Sequence, residues 1–386
     1  MALVWDASTD DSSGVKEYVV TYSLGGVQST ARTYGTSYVL KDAGFGTWSW
    51  SVQAVDFAGN ESAVVAGDDF TVSENVAPQP GPEPEPENIF VAKCDIDGTG
   101  ASDVMFQWTG GDHQVGFWMN GTSDWQSQAR ARSDAWTVLG GYDMDSDGKA
   151  DMLLAGKATL VDMTGTYIGY YAGAVDDDAN WHTVGFLVNA NDWVNAVGNL
   201  TGAAGKNSVV WFAPELCALG VWTDGTDDWV SISNSFDSSW ALVGCGDFDG
   251  DGRDSVVMTL NNGQAFYTAD LDGSASSLGS ADWSGWTVRA IGDFAGDGKD
   301  DMVLFHQETG SMVMFADGSA DSFESIGQLD AKDWFVVGAG DYNGDQKDDL
   351  LVRQYSTGML GYYTSGDTTQ WNVLGYGVDM SWTVIA

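Results

Sequence analysis

The residues best placed to do chemistry are aspartates, and they come in runs. The stretch GDFDGDGRDS, residues 246–255, puts Asp247, Asp249, Asp251 and Asp254 within eight residues, with Arg253 the one cation among them. Carboxylates this close repel one another, so the stretch must either stay fully solvated or hold a cation. Comparable runs begin at Asp95, Asp143, Asn199, Asp293 and Asp341. From Asp95 to Asp341, with Asp247 in its place, the steps are 48, 56, 48, 46 and 48 residues.

Aligned on the first residue, the runs read D-x-D-x-D-G-x-x-D. Asp143, Asp145, Asp147 and Asp151 match in full. Asp247, Asp249 and Asp251 match, with Ser255 in the last slot. Asp293, Asp297 and Asp301 match, with Ala295 in the third. Asp341, Asn343, Asp345 and Asp349 match, with Gln346 in place of the glycine. Asp95, Asp97 and Asp103 match, with Thr99 in the fifth. The copy at Asn199, NLTGAAGKN, has lost its acids. Oxygens at alternate positions, a glycine for the sharp turn and a closing carboxylate suit Ca²⁺, which takes six to eight oxygen ligands in flexible geometry. The seventh position (Lys149, Arg253, Lys299, Lys347) would offer its main-chain carbonyl. Mg²⁺ dehydrates reluctantly and rarely takes an all-protein cage. Zinc would want Cys or His, and the chain has only 3 of each. An EF-hand needs a glutamate at position twelve, where this chain has Phe106, Leu154, Met258, Leu304 and Val352. The expectation is four to five Ca²⁺ ions in β-hairpin loops, with the Asn199 loop empty.

A period this regular points to a solenoid or a propeller. Each loop follows an apolar run that in four copies opens on Trp: WTVLGGYD, WALVGCGD, WTVRAIGD and WFVVGAGD. Each is followed by an alternating strand such as DSVVMTL or DDMVLFH, a glycine turn and two further short strands. Four antiparallel strands in about 48 residues make one propeller blade. Six repeats are counted, with seven left open, and the C-terminal SWTVIA is expected to close the ring. Composition agrees: 50 Gly, 18 Trp and only 6 Pro suit many strands and tight turns.

Five of the 6 prolines fall in NVAPQPGPEPEPEN, residues 75–88, an extended semi-rigid spacer. Residues 1–74 before it read as a small all-β unit. Their WDASTDDSSGVKEYVVTYS and GTWSWSVQAVDFAGNES resemble a fibronectin type III domain over residues 3–73, a family whose members usually act as spacers. The repeats of residues 89–386 resemble the FG-GAP/VCBS repeats of integrin alpha-subunit propellers and their bacterial relatives. That resemblance implies a β-propeller with Ca²⁺ in hairpin loops on one face. The fold class expected is therefore all-β, a fibronectin type III-like sandwich followed by a propeller.

The formal charge of −41 argues against nucleic acid and anionic membrane as partners, since both need Lys and Arg. No apolar run is long enough to span a bilayer. The start, Met1-Ala-Leu-Val-Trp, carries no secretory signature and reads as a start inside a longer protein. Cys94, Cys217 and Cys245 are expected as buried free thiols in apolar strands. His113, His182 and His306 share no repeat position, and Asp176-Asp177-Asp178 and Asp227-Asp228 read as solvated turns, so no catalytic residue is assigned and no enzyme is expected. The strand-opening tryptophans are expected to pack. Trp283 and Tyr376, less regular, are the better ligand candidates. Two functions stand: a secreted or cell-surface adhesion module, monomeric and binding a protein or glycan at a loop face, or a non-catalytic accessory region of a larger secreted enzyme.

Overall fold

The structure, a computed structural model, describes residues 2–9, 14–40, 46–72, 94–109, 114–130, 136–160, 163–174, 178–188, 193–203, 206–233, 235–260, 263, 265–279 and 283–385. The spacer expected at residues 75–88 lies outside them. The chain divides into two compact units, Met1–Gly81 and Pro82–Ala386. Among the described residues there are strands and short 3₁₀ turns and no α-helix.

In the first unit, Val15–Leu24 lies between Val27–Thr33 and Gly46–Asp56. The latter also pairs with Val65–Ala66 and Phe70–Val72. A second, two-stranded sheet joins Ala2–Val4 to Ser37–Val39. Alternate residues Tyr18, Val20, Val52 and Ala54 point into one core with Leu3 and Leu40, as period-two strands require. The D-x-x-G-N-x-S motif is a turn staple. Asp56 accepts the Asn60 amide at 2.7 Å and its side-chain Nδ2 at 2.8 Å, and Ser62 Oγ accepts the Ala54 amide at 2.9 Å.

Among the described residues the second unit holds six four-stranded antiparallel sheets. Blade 2 runs Trp136–Tyr142, Asp151–Leu160, Met163–Tyr171, Trp181–Val188. Blade 3 runs Val194–Gly198, Ser208–Ala213, Ala218–Trp222, Trp229–Ser233. Blade 4 runs Trp240–Gly246, Ser255–Leu260, Ala265–Ala269, Ala275–Gly279. Blade 5 runs Trp286–Gly292, Asp301–His306, Ser311–Phe315, Phe323–Gln328. Blade 6 runs Trp334–Gly340, Asp349–Gln354, Leu360–Tyr363, Trp371–Gly375. Blade 1 is made from both ends of the unit: Val104–Trp108, Gln114–Trp118 and Trp125–Arg130, with Trp382–Ile385 paired to Val104–Trp108. Trp382 sits opposite Trp108 just as Trp286 sits opposite His306, so the last strand closes the ring in the register of every other blade.

Six apolar clusters hold the ring, each shared by two neighbouring blades. Second strands are buried on both faces: Met152 and Leu154 face blade 1, while Leu153 faces blade 3. That is why these strands read as near-continuous apolar runs and why the position-twelve residues are apolar. Phe106, Leu154, Met258, Leu304 and Val352 are all fully buried, which leaves no room for an EF-hand glutamate.

Two polar latches flank the composite blade. Arg353 of blade 6, only 1% exposed, donates to the carbonyls of Trp382 at 2.8 Å and of Val378 and Asp379 at 3.0 Å. Gln107, at the same strand position in blade 1, donates to the Trp136 carbonyl at 3.3 Å and accepts the Val138 amide at 3.0 Å. The equivalent residues of blades 3 and 5, Phe212 and Phe305, are apolar and buried.

Candidate metal-binding loops

In blades 2 to 6 the loop joins the first strand to the second, and in blade 1 the Asp95 loop leads into the second strand, so the six equivalent loops lie at the same end of the ring. In blades 2, 4, 5 and 6 the first strand carries a β-bulge just before the loop, between Val138 and Gly140, Leu242 and Gly244, Val288 and Ala290, and Val336 and Gly338. Such bulges re-aim the chain beside a site. The first-slot aspartate then folds its own loop. Asp95 accepts the amides of Gly98, Thr99 and Gly100 at 2.8, 3.0 and 2.6 Å. Asp143, Asp247, Asp293 and Asp341 accept the amides of their own fourth and sixth residues in the same way. The loop needs positive φ at its fourth and sixth positions. Gly250 and Gly252 show it at 77° and 82°, and Ser146 and Gln346 adopt it at 71° and 68° without being glycine. The motif read from the sequence had marked only the sixth.

The ninth-slot aspartates anchor the loop from beneath. Asp103, Asp151 and Asp349 are completely buried, and Asp301 is 2% exposed. One oxygen of each accepts an amide from the turn after the third strand: Asn120 at 2.7 Å, Gly173 at 2.8 Å, Asp317 at 3.0 Å, Ser365 at 2.9 Å. In blades 1, 2 and 6 the other oxygen accepts the amide of the loop's second residue, Ile96, Met144 or Tyr342. Burial pushes these carboxyls up to about 6 for Asp103 and Asp301 and about 7 for Asp151 and Asp349. Neighbouring carboxylates add to the rise, and the donated amides temper it.

Three loops bring carboxylate oxygens within 4.8 Å of one another, close enough to hold one ion: Asp95, Asp97 and Asp103; Asp143, Asp145 and Asp151; Asp247, Asp249 and Asp251. A hard oxygen donor set of this kind fits a divalent cation. In the fifth loop, Asp301 Oδ2 is buried without a hydrogen-bond partner. A hydrogen bond from the Ala295 main-chain amide lowers the Asp301 carboxyl. An anionic oxygen so deeply buried also suits a cation.

The loops differ in ways the aligned motif hides. Ser255 donates its hydroxyl to Asp270 at 2.5 Å, away from the loop acids, so the fourth cluster uses slots one, three and five. Thr99 Oγ1 donates to Asn120, whose Nδ2 donates to Asp97 at 2.8 Å; Asn120 thus zips the first loop shut from the third-strand turn. Asn343 aims Nδ2 at Asp349, 3.3 Å away, while its Oδ1 accepts the Asp345 amide. Asp147, Asp251, Asp297 and Asp345 each accept the amide of the seventh residue, Lys149, Arg253, Lys299 or Lys347. The Asn199 loop is one residue longer than the nine-residue alignment assumed: Gly198 pairs with Ser208, where Gly246 pairs with Ser255. Thr201 there donates to Asp224 at 2.6 Å.

A ring of contacts between loops was missed entirely. The eighth residue donates its amide to the first-slot carbonyl of the preceding loop: Ser102 to Asp341, Ala150 to Asp95, Asp254 to Asn199, Asp300 to Asp247 and Asp348 to Asp293, with Asn207 to Asp143 across the longer loop. The eighth side chains of Asp254, Asp300, Asp348 and Ser102 accept the same residues' amides in return. Glycine before the loop makes room: a Cβ on Gly292 would lie 2.4 Å from Asp348 Oδ2. The seventh-slot cations lie across the preceding blade's fourth residue, with Lys149 over Gly98, Arg253 over Gly202, Lys299 over Gly250 and Lys347 over Gly296. Where the first-slot residues of blades 1, 2, 5 and 6 converge, they line a hollow of about 310 Å³ with Asp348 and Lys149. The signal for this ring was the pairing of glycine before one loop with an acid in the next.

Other candidates are not brought together. Trp283 is not a ligand-facing loop aromatic: it is 7% exposed and packs on Trp286, Phe315 and Phe323, whereas Tyr376 is 70% exposed. The three cysteines are free, but only Cys94 is buried, and Cys217 sits in a left-handed turn after Pro214–Leu216 instead of in a strand. His182 stacks on Tyr170 and His306 packs against Trp286. Asp227 and Asp228 are exposed. His113, Asp176 and Asp177 lie outside the described residues.

Comparison with known protein families finds no match, and neither does comparison with curated proteins. Solved structures similar in fold include a protein from Lactobacillus plantarum, at 11% identity over 71% of this chain and 81% of that one, TM-score 0.37. Another is virginiamycin B lyase from Staphylococcus aureus, at 10% identity over 95% and 97%, TM-score 0.39. A third is the Penicillium chrysogenum α-L-arabinanase, at 12% identity over 81% and 90%, TM-score 0.33. These likenesses concern the fold alone. The fold is a six-bladed β-propeller. The expectation that the chain is no enzyme is corrected: a lyase and an arabinanase stand among these distant structures. Nothing in the described residues shows an enzyme either.

Proposed function

We propose that the second unit is a calcium-binding propeller of the FG-GAP/VCBS kind and that the chain serves as a recognition or adhesion module outside the cell. The observation that carries this is the recurrence of three-carboxylate clusters, one oxygen of each residue within 4.8 Å of the others, at one loop position in three blades. Asp95, Asp97 and Asp103, Asp143, Asp145 and Asp151, and Asp247, Asp249 and Asp251 would each hold one ion. The loops of Asp293 and Asp341 are further candidates. Bound Ca²⁺ would offset the crowded negative charge and tie first strand to second. Loops of this type are commonly half-filled only at the calcium levels found outside cells, about 10⁻⁴–10⁻³ M, which favours secretion or surface display. The first unit, read as fibronectin type III-like, would act as a spacer, and residues 75–88 as the joint. The partner would be a protein or a glycan met at a propeller loop face by a monomer.

The test is a glycan and matrix-protein array probed in millimolar Ca²⁺ and again in EDTA, with bound calcium counted on the same sample. Bound calcium together with saturable binding supports the reading. A folded protein that takes up no Ca²⁺ at millimolar concentration overturns it.

A further inference from the structure

We infer that the edge strand Val27–Thr33 of the first unit pairs antiparallel with the same strand of a second copy of this chain, about a two-fold axis at Thr30. The pairing concerns the first unit and stands whether or not the loops hold calcium. The monomer proposed above is one half of that pair, and each propeller still meets its ligand singly.

Val27–Thr33 is hydrogen-bonded to Val15–Leu24 on one side, and among the described residues no strand lies on its other side. Proteins blunt such an edge with proline, lysine, a bulge, an inward-facing charge or a very short strand. Here VQSTART runs for 7 residues in unbroken register with its neighbour and carries none of these. Its one charge, Arg32, is already met by Glu17 at 2.7 Å. Val27 is 75% exposed, and in the whole strand only Ala31 and Thr33 are half-buried. The far edge of the same sheet is blunted, since Val65–Ala66 has 2 residues and Phe70–Val72 has 3. A pair joined at the open edge by a two-fold axis therefore closes on itself and does not grow into a fibre.

A second copy is the occupant that the strand's own register selects. The turn Gly25-Gly26, with φ of 57° and 84°, is of the two-residue hairpin kind, which closes on a hydrogen-bonded pair, here Leu24 and Val27. Bonding then alternates along the ladder. Val27, Ser29, Ala31 and Thr33 face Val15–Leu24, while the amides and carbonyls of Gln28, Thr30 and Arg32 point to the open side. Turned about Thr30, the strand offers these groups to one another: Thr30 exchanges bonds with the partner's Thr30, and Gln28 with the partner's Arg32. No outward main-chain group between them is left over. The side chains agree, with Thr30 beside the partner's Thr30, Ser29 beside the partner's Ala31 and Val27 beside the partner's Thr33. No like charges stand opposed. Charge permits the contact: the chain carries −41, yet no Asp or Glu occurs between Glu17 and Asp42. Salt screens the repulsion between the rest of the two copies and so strengthens the pair.

The experiment is sedimentation of the full chain over a concentration series reaching the millimolar range, at low and at high salt. The wild type should form a dimer whose dissociation constant falls about threefold or more as salt is raised. Thr30→Glu and Thr30→Lys each set like charges face to face at the axis, so each alone should raise that constant about fivefold or more. The two variants shift the net charge in opposite directions, which separates the seam from a general charge effect. Mixed in equal amounts, they should pair with each other as tightly as the wild type pairs with itself. On pairing, amide exchange should slow at Gln28, Thr30 and Arg32. A wild type that stays monomeric at high salt overturns the inference. A dimer that either variant leaves intact, or that the mixture fails to restore, places the seam elsewhere and overturns it too.

Discussion

Replacing Arg353 by Met should loosen the ring at one seam and nowhere else. The arginine is 1% exposed and donates to three main-chain carbonyls, those of Val378, Asp379 and Trp382, all in the segment that closes the ring. Methionine keeps much of the stem and its packing but leaves those carbonyls without their donor. Hydrogen bonds to charged groups contribute about 1.5–3 kcal/mol each, and a stranded buried partner costs about 1–3 kcal/mol. Dehydrating the guanidinium already offsets part of this. We therefore expect a net loss of about 3 kcal/mol at the seam, or roughly a hundredfold faster hydrogen exchange in the regime where exchange reports local opening. The assay is amide exchange read by peptide mass spectrometry, since a two-unit chain has no single unfolding free energy. Peptides covering Val104–Trp108 and Trp382–Ile385, which pair with each other, should lose protection together. Peptides from blades 3 and 4 should not change. Gln107→Ala, removing two neutral hydrogen bonds at the next seam, should cost only about 1–2 kcal/mol. Protection of the closing strand that stays the same in Arg353→Met, or falls equally in every blade, would refute the reasoning.

Three other outcomes follow from the loops. Adding Ca²⁺ at a hundred times its dissociation constant should stabilise the propeller by about 2.7 kcal/mol per filled site, raising its Tm by calorimetry over that in EDTA; an identical Tm in both would refute it. In EDTA, Asp103, Asp151, Asp301 and Asp349, raised by burial to about 6 or 7, contribute stability that is complete below the ordinary carboxylate range near pH 4 and lost as pH rises through 6 to 7. Lowered groups such as Asp97, held down by hydrogen bonds from Asn120 and Thr99 against its desolvation, act in the opposite sense at lower pH. The Tm in EDTA should therefore fall between pH 5 and 8, and a flat or rising profile would count against the burial argument. Gly292→Ala would set a Cβ 2.4 Å from Asp348 Oδ2 and break the clasp between the fifth and sixth loops; a local loss of about 2–3 kcal/mol should appear as faster amide exchange in peptides covering those two loops, and unchanged exchange would mean the clasp yields freely.

Much of this molecule was legible from its spacing. The regular steps between acidic runs, the Trp-led strands and the trailing SWTVIA were enough for a ring of blades and its closing strand, because a propeller repeats one local pattern. Slots one, three and nine of the first two loops and one, three and five of the Asp247 loop were legible as carboxylates the fold gathers, because their spacing is set by the loop. What was hidden depends on neighbours far along the chain. Asp348 reads as one more acid in a run until Gly292 of the previous blade is seen beneath it. Asn120 and Asp317 read as turn residues until their strands bring them back to the loop. Trp283 reads as an irregular loop aromatic, yet the fold turns it inward onto Phe315. The extra residue of the Asn199 loop was invisible because losing the acids also lost the marks by which length could be measured.

The composite blade also sets a schedule. Trp108 must wait for Trp382 before its sheet is complete, and the intervening chain takes some tens of seconds to emerge at about 5–20 residues per second. Throughout that interval the growing propeller is an open arc with an unpaired strand edge at its beginning, the feature through which sheets join the wrong partner. The hazard of misassembly is thus greatest during synthesis and ends abruptly with the last four-residue strand.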